Sequence, residues 1–488
     1  MKNSKFKKKF SAETAPFWIF TIAIIFILTI SKLIQDGVFL DGMLYISVSK
    51  NLSDGLGTFW EPHFSKTLMS IYREQPPLYS GLLAIFYRLL GSSMYIERLF
   101  CFICYALTLC YINKIWNSLF RKEPETAKNS WLPILFFTTI PVVFWAYANH
   151  VEETVMTLFT TMSVYYLSKA LFERERMISN IFLAGICVFL SSLTKGIQGL
   201  FPISGIFFYW LVKKNFSFKK NFIYSAILIS TPFLIYGILI LFNNHISEVI
   251  RLYLENRLGI ALKGSSSNTT TNHFEILVRL FTELIPMFGL MLIISFIHKK
   301  SGKIKSADSI HKTEALWLLL IGLSGSLPLI STLEQRGFYL VTSLPLFALA
   351  GAVIMANPIT ELVSKINVNK SNFMFFKWIA ILLLIGSLTF TILCIGKTKR
   401  DKEMLSDIYT MGKFIPRGEI IGIPKEMWNY WTFQAYMVRY NYISLDESDN
   451  KNKYFAIEKT LSKNLVPSGY EPYPLKTEYL DLYILKCQ

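Results

Sequence analysis

Long apolar runs separated by short charged gaps make up most of this chain. A helix needs about 20 mostly apolar residues to cross a bilayer. Runs of that kind cover Pro16–Ile34, Met94–Trp116, Trp131–Ala148, Glu153–Leu171, Ile178–Leu193, Gly196–Val212, Phe222–Leu241, Ile276–Ile297, Ala315–Leu333, Tyr339–Ala356 and Phe375–Ile395. The pattern predicts roughly eleven membrane-spanning helices. Leu78–Leu90 is apolar but short, and is either a further span or a helix lying in the interface. After Ile395 the pattern changes to charged and mixed. Short β-like runs at Glu419–Ile423 and Tyr479–Leu485 predict a small α/β domain over 397–488.

Composition agrees with the pattern. Of the 488 residues 52% are hydrophobic and 15% aromatic, and the mean hydropathy is +0.39. Those values exclude an ordinary soluble enzyme. The first run is long and no small-residue cleavage site precedes Asp41, so it is expected to stay as an anchor. Five of the six cysteines lie in apolar runs, Cys101 and Cys104 among them, and no disulfide framework is implied.

The net charge of +17 does not indicate nucleic acid, because the basic residues fall in every second gap between spans. Lys2 to Lys9 precede the first span; Arg121, Lys122 and Lys128, then Lys169, Arg174 and Arg176, then Lys213 to Lys220, then Lys299 to Lys312, then Lys365 to Lys377 follow. This alternation places the N-terminus in the cytoplasm and, with an odd span count, the C-terminal domain outside. The expected location is the cytoplasmic (inner) membrane.

With that topology the carboxylates and lone cations sort to one side. Asp41, Arg73 and Glu74 lie in a long outer region, 35–93. His150, Glu152 and Glu153 open the Glu153–Leu171 span, and Lys195 sits in a tight outer turn. Glu248, Arg251, Glu255 and Arg257 lie in a second outer region, 243–274, and Glu334, Arg336 and Tyr339 at another outer turn. Lys195 runs against the positive-inside bias with no acidic neighbour in sequence beside it, so a negative partner is expected; a lipid-linked phosphate would serve. Glu97 and Arg98 are expected to be a structural pair, and Asp36 and Asp54 loop or cap residues.

A carboxylate at the membrane surface can act as general base on an incoming hydroxyl. Arg and Lys can hold a departing phosphate and neutralise the charge that grows on it. Paired carboxylates also serve sugar chemistry. The chain has neither the G-x-x-x-x-G-K-[ST] nor the G-x-G-x-x-G phosphate loop, no Asp-x-Asp, and no zinc-type spacing among its six histidines.

Several short motifs, in order, carry a resemblance. After the basic arm and first span come Asp41-Gly42-x-x-Tyr45 and Glu74-x-Pro76-Pro77-Leu78-Tyr79. His150-Val151-Glu152, Leu193-Thr194-Lys195-Gly196 and Arg336-Gly337-Phe338-Tyr339 with Leu344-Pro345 follow. From about Pro16 to Ala356 the chain resembles the GT-C membrane glycosyltransferases, in particular the protein O-mannosyltransferase-like enzymes and the aminoarabinose transferases that modify lipid A. The resemblance implies a polytopic all-α GT-C domain of about 11–13 transmembrane helices over 1–396 with a small outer domain behind it. It implies Asp41, Glu152 and Glu74 as catalytic carboxylates, and Lys195, Arg257, Arg336 and Tyr339 as ligands of the donor phosphate. Two positions depart from the aminoarabinose transferases: Gln75 stands where they have lysine, and Asn256 follows Glu255 where they have histidine. The second departure argues for chemistry without a metal, and no cofactor is expected.

The expected activity is transfer of a sugar from a polyprenyl-phosphate donor to a lipid, glycan or protein acceptor at the outer face. Membrane lipids are the other expected partners, and nucleic acid is not one. Rival readings are a flippase for the same lipid-linked sugar, which would place charges at mid-bilayer within internal repeats, and a glycan ligase or polymerase.

Overall fold

The computed structural model describes residues 11–214, 217–255, 259, 270, 272–301, 311–448 and 452–486. Arg257 lies outside them. The chain divides into two compact units: one of residues 1–33, 101–148 and 153–395, the other of residues 34–100, 149–152 and 396–488.

The larger unit is helical. Its elements are α1 (Ala15–Leu33), most of α4 (Met94–Leu119), α5 (Trp131–Thr139), α6 (Pro141–Ala148), α7 (Glu153–Ser168), α8 (Met177–Lys195), α9 (Gly205–Lys213), α10 (Phe218–Phe242), α11 (His245–Tyr253), α12 (Glu275–Lys300), α13 (Lys312–Ser326), α14 (Leu344–Ile354), α15 (Ala356–Ser364) and α16 (Ser371–Leu393). Seven helical stretches among the described residues are long and apolar enough to cross a membrane, or nine if each of two bent pairs counts as one span. Their outward faces are apolar: Phe281, Leu292 and Phe296 of α12 are all exposed. This is the arrangement of a multi-pass membrane protein, in which lipid rather than water faces the helices.

Four expected spans look different in the structure. Trp131–Ala148 is bent by 73° between α5 and α6. The local signal is Pro141, because a proline drives the residue before it out of the helical region; Ile140 has ψ 121°. The carboxylate of Glu283 on α12 accepts the N–H of Val142 at 2.6 Å and so satisfies a donor left open at the start of α6. Ile178–Leu193 and Gly196–Val212, expected as two spans, fall in one continuous helical run, 177–213, interrupted at Gly196. At Gly196 φ is +76°, a 3-10 segment covers Gly196–Ser204, and Gly199 packs against the backbone of Ser191, so the chain folds back at this turn. The helix beginning at Glu153 falls outside the seven, and it buries six hydroxyl side chains, those of Thr154, Thr157, Thr160, Thr161, Ser163 and Ser168.

The second unit joins residues 34–100 and 149–152 to the C-terminal residues. It contains α2 (Leu40–Ser53), α3 (Leu78–Leu90), α17 (Lys402–Met411), α18 (Trp431–Asn441) and a five-stranded sheet. The strands are β1 (Ile420–Gly422), β2 (Ser444–Asp446), β3 (Tyr454–Glu458), β4 (Tyr470–Pro472) and β5 (Leu480–Leu485), in the order β2-β1-β3-β5-β4. β1 is parallel to β2 and β3, and β5 is antiparallel to β3 and β4. The buried Asp407 carboxylate on α17 accepts the N–H groups of Glu478, Tyr479 and Leu480 at 2.6–2.7 Å and fixes the start of β5.

Leu78–Leu90, at 13 residues, is about 20 Å long and too short to span. Pro77 stands at its N-cap, Tyr79, Leu83 and Tyr87 are buried, and Leu89 is 76% exposed. The two-sided burial favours the interfacial reading.

Glu97 and Arg98 are a structural pair, 3.5 Å apart, and each also has a closer partner elsewhere. Helix neighbours at i and i+1 point different ways. Glu97 binds Arg439 at 2.6 Å and Tyr87, while Arg98 binds Asp36 at 3.1 Å. Asp36 also accepts the hydroxyls of Tyr409 and Tyr440. It is therefore more than a loop or cap residue: it is the centre of a buried network that knits residues 34–100 to the C-terminal residues of the same unit.

Candidate active site

The carboxylates implied by the motifs all lie in the second unit. Asp41 is in the first turn of α2 and half-buried. Among the described residues its carboxylate has no hydrogen bond or ion pair. Glu152 is 1% exposed, in the turn just before α7. Glu74 is half-buried, ahead of α3, and its neighbour Arg73 is taken up by Glu61 at 2.9 Å.

One short segment brings the Asp41 and Glu152 stretches together. The side chain of Asn149 accepts the N–H of Phe39 at 3.0 Å, two residues before Asp41. Gly42 lies so close that a Cβ there would sit 1.8 Å from the Asn149 carbonyl oxygen. The Tyr79 hydroxyl, in the first turn of α3, donates to the carbonyl of His150 at 3.0 Å. His150 itself is fully buried with φ +57°. Burial, together with the positive charges of Arg98, Lys399 and Arg439, pushes its imidazole well below the usual histidine range. It is therefore neutral near pH 7 and is not a cation in this turn.

Lys195, Arg336 and Tyr339, the described candidate phosphate ligands, lie in the other unit. Lys195 closes α8, and its Nζ is 2.7 Å from Oε1 of Glu153, with 7% and 0% of the two side chains exposed. The expected negative partner of Lys195 is thus already in the protein. It is hidden in the sequence because Glu153 is far from it along the chain. The Lys195 ammonium also lies 5.0 Å from the ring centre of Tyr339 and 5.9 Å from that of Phe338. The Tyr253 hydroxyl donates to the Lys195 carbonyl at 3.1 Å and fills the space a side chain on residue 196 would need. Gln198 donates to the carbonyl of Tyr339 at 2.7 Å. Glu153, Gln198, Tyr253 and Phe338 thus hold Lys195 and Tyr339; only the T-K-G turn hints at them.

Arg336 precedes the 3-10 segment Gly337–Thr342, is half-buried, and has no ion pair among the described residues. Its neighbour Gln335 is buried and accepts the N–H of Ile276 at 2.8 Å, which ties this turn to the start of α12. An apolar groove of about 900 Å³ runs between α12, α13 and α14, lined by Leu277, Leu284, Met287, Leu323, Phe347 and others. Among the described residues, no group of three or more His, Cys, Asp or Glu side chains is placed to hold a metal ion.

A protein-family model described as dolichyl-phosphate-mannose-protein mannosyltransferase matches residues 74–237. That stretch contains Glu74, Glu152 and Lys195. Two crystal structures of ArnT from Cupriavidus metallidurans match nearly end to end. The one bound to undecaprenyl phosphate is 11% identical with a TM-score of 0.64, and covers 96% of this chain and 98% of that one. The apo state is 12% identical with a TM-score of 0.64, and covers 97% and 98%. The chain has the GT-C fold. At this identity the likeness is one of fold, so it leaves the roles of individual residues to chemistry. No curated protein matches the sequence.

Proposed function

We propose that this GT-C protein is a membrane glycosyltransferase that moves a sugar from a polyprenyl-phosphate donor to an acceptor at the outer face of the cytoplasmic membrane. The observation that carries this reading is the end-to-end likeness in fold to ArnT, one structure of which holds undecaprenyl phosphate. The N-terminus is assigned to the cytoplasm and the C-terminal domain to the outside, from the alternation of basic gaps.

The chemistry assigns the roles. For a hydroxyl acceptor, Asp41 takes the proton as the oxygen attacks the anomeric carbon. The bond from that carbon to the phosphate oxygen breaks, and polyprenyl phosphate leaves with one more negative charge. The configuration inverts. Glu152 is the second candidate base, and Glu74 orients the acceptor. A phosphate acceptor is already ionised and needs no base.

Charge accounting sharpens the other half. Lys195 and Glu153 sum to zero, so Lys195 contributes a directed donor but little net charge. Arg336 brings a full positive charge and a planar fork suited to phosphate oxygens. It is therefore assigned as the main ligand of the leaving phosphate, with Lys195, Tyr339 and Arg257 as further ligands. The apolar groove between α12, α13 and α14 suits an apolar polyprenyl tail.

The test is to incubate the purified protein with lipids extracted from its source membranes and follow free polyprenyl phosphate by mass spectrometry. Release by wild type that is lost in Asp41→Asn supports the reading. Movement of lipid-linked sugar across vesicles with no release favours the flippase and overturns it. Mass spectrometry of envelope glycans from a deletion strain names the acceptor.

A further inference from the structure

The turn 149–152 is held in place more firmly than a connection between two helices requires. His150 is not glycine, yet it takes a left-handed backbone conformation. Such a conformation persists in a non-glycine residue when its surroundings over-determine it. Here the surroundings are three contacts from two different stretches of the first outer region. Phe39 N–H to the Asn149 side chain and Gly42 against the Asn149 carbonyl tie the turn to the start of α2. The Tyr79 hydroxyl on the His150 carbonyl ties it to the start of α3. Tyr79 is fully buried and its ring lies 5.8 Å from that of Tyr45, on α2.

These contacts sit beside the three candidate carboxylates. Asp41 comes two residues after Phe39 and directly before Gly42. Glu152 comes two residues after His150. Glu74 lies just ahead of the helix that carries Tyr79. None of these three contacts uses a carboxylate.

We infer that Asn149 and Tyr79 are positioning residues that set the separation of Asp41 and Glu152. The inference rests on the reading of those carboxylates as the acid–base groups. Asn149 acts through its side-chain oxygen on the Phe39 N–H, and thereby on the first turn of α2. Tyr79 acts through its hydroxyl on the His150 carbonyl, and thereby on the left-handed turn that aims Glu152. Misplacing a catalytic group by an ångström slows turnover without loosening the grip on parts of the substrate held elsewhere.

The experiment uses the full-length protein in detergent or nanodiscs. Release of polyprenyl phosphate from a source-membrane lipid extract is measured over a range of pH for wild type, Asp41→Asn, Glu152→Gln, Tyr79→Phe, Asn149→Ala and Asn149→Asp. Native mass spectrometry with undecaprenyl phosphate measures binding, and thermal unfolding measures integrity. Tyr79→Phe and Asn149→Ala are expected to lower kcat by roughly tenfold or more, with undecaprenyl phosphate binding within about twofold of wild type. Asn149→Asp keeps an oxygen for the Phe39 N–H but adds a negative charge to the turn. It is expected to recover much of the rate while moving the acidic limb of the pH profile upward, because a like charge disfavours ionisation of a neighbouring carboxylate.

Normal kcat in Tyr79→Phe and Asn149→Ala, with Asp41→Asn or Glu152→Gln inactive, overturns the positioning role alone. A loss of kcat that only follows the loss of folded protein, with no recovery and no moved limb in Asn149→Asp, also overturns it, in favour of a purely structural role. Normal turnover in both Asp41→Asn and Glu152→Gln, or no release by wild type, removes the catalytic reading and the positioning role with it.

Discussion

Asp41 and Glu153 are both acidic residues in the first turn of a helix, and the protein treats them in opposite ways. Glu153 is fully buried against Lys195. Asp41 is half-buried and has no ion pair among the described residues. A buried, matched ion pair costs desolvation and regains it only while both partners remain. Such a pair holds a structure in register but has little capacity left for a proton. A carboxylate with open lone pairs keeps that capacity. Sequence shows both as an acid at a helix start; their surroundings make one a strut and leave the other available.

The sharpest way to break this contrast is Asp41→Asn. Turnover is expected to fall by roughly a hundredfold to ten-thousandfold, with thermal unfolding within a few degrees of wild type. Retained turnover would remove Asp41 as the base, or indicate an acceptor that needs none. Breaking the strut should act on stability instead. Lys195→Met strands a buried carboxylate and is expected to cost about 3–5 kcal/mol. Adding Glu153→Gln should restore part of that loss, which chemical or thermal unfolding of the single and double variants would reveal. A double variant no more stable than Lys195→Met would mean that the pair is not the reason for the loss.

Arg336→Ala comes next. Removing a charged donor to phosphate is expected to weaken undecaprenyl phosphate binding by about 1.5–3 kcal/mol, read by titration, with the melting temperature nearly unchanged. The smallest effect concerns His150. Its pKa is lowered in the folded protein, so the unfolded chain binds the proton first as pH falls. Stability from this residue is fully present above the unfolded pKa of about 6.5 and declines as pH drops below it toward the folded value. Lowering pH from about 7.5 to about 5.5 is expected to reduce the melting temperature by a few degrees, and His150→Gln should remove that part of the slope. An unchanged slope would mean that other groups set it.

Much of the architecture is legible in the order of residues along the chain. The length and spacing of the apolar runs put helices in nearly the expected places, since a 20-residue apolar stretch has few other stable outcomes. The charge alternation, the order of the short motifs and the β-like runs at Glu419–Ile423 and Tyr479–Leu485 are equally local signals. Pro141 is a local signal too, but an ambiguous one, because a single proline inside an apolar run does not say whether a helix bends or continues. The candidate site is less legible. Asp41, Glu152 and Lys195 stand out by residue type and motif, whereas Asn149, Tyr253 and Gln198 look like any other polar residue until their partners are known.

Local sequence thus specifies a set of helices, their alternating charge and a roster of polar residues. Tertiary structure chooses their partners. Arg439 meets Glu97 across 342 residues of chain, Lys195 meets Glu153 across two helices, and Asn149 meets Phe39 across 110 residues. Periodicity ranks which face of a helix is apolar, but it does not say which other helix that face will find. The choice is made by packing, where a glycine such as Gly42 allows one close approach and a buried charge tolerates only a matched neighbour. That is why an acid at a helix start becomes a bound glutamate at 153 and an open aspartate at 41.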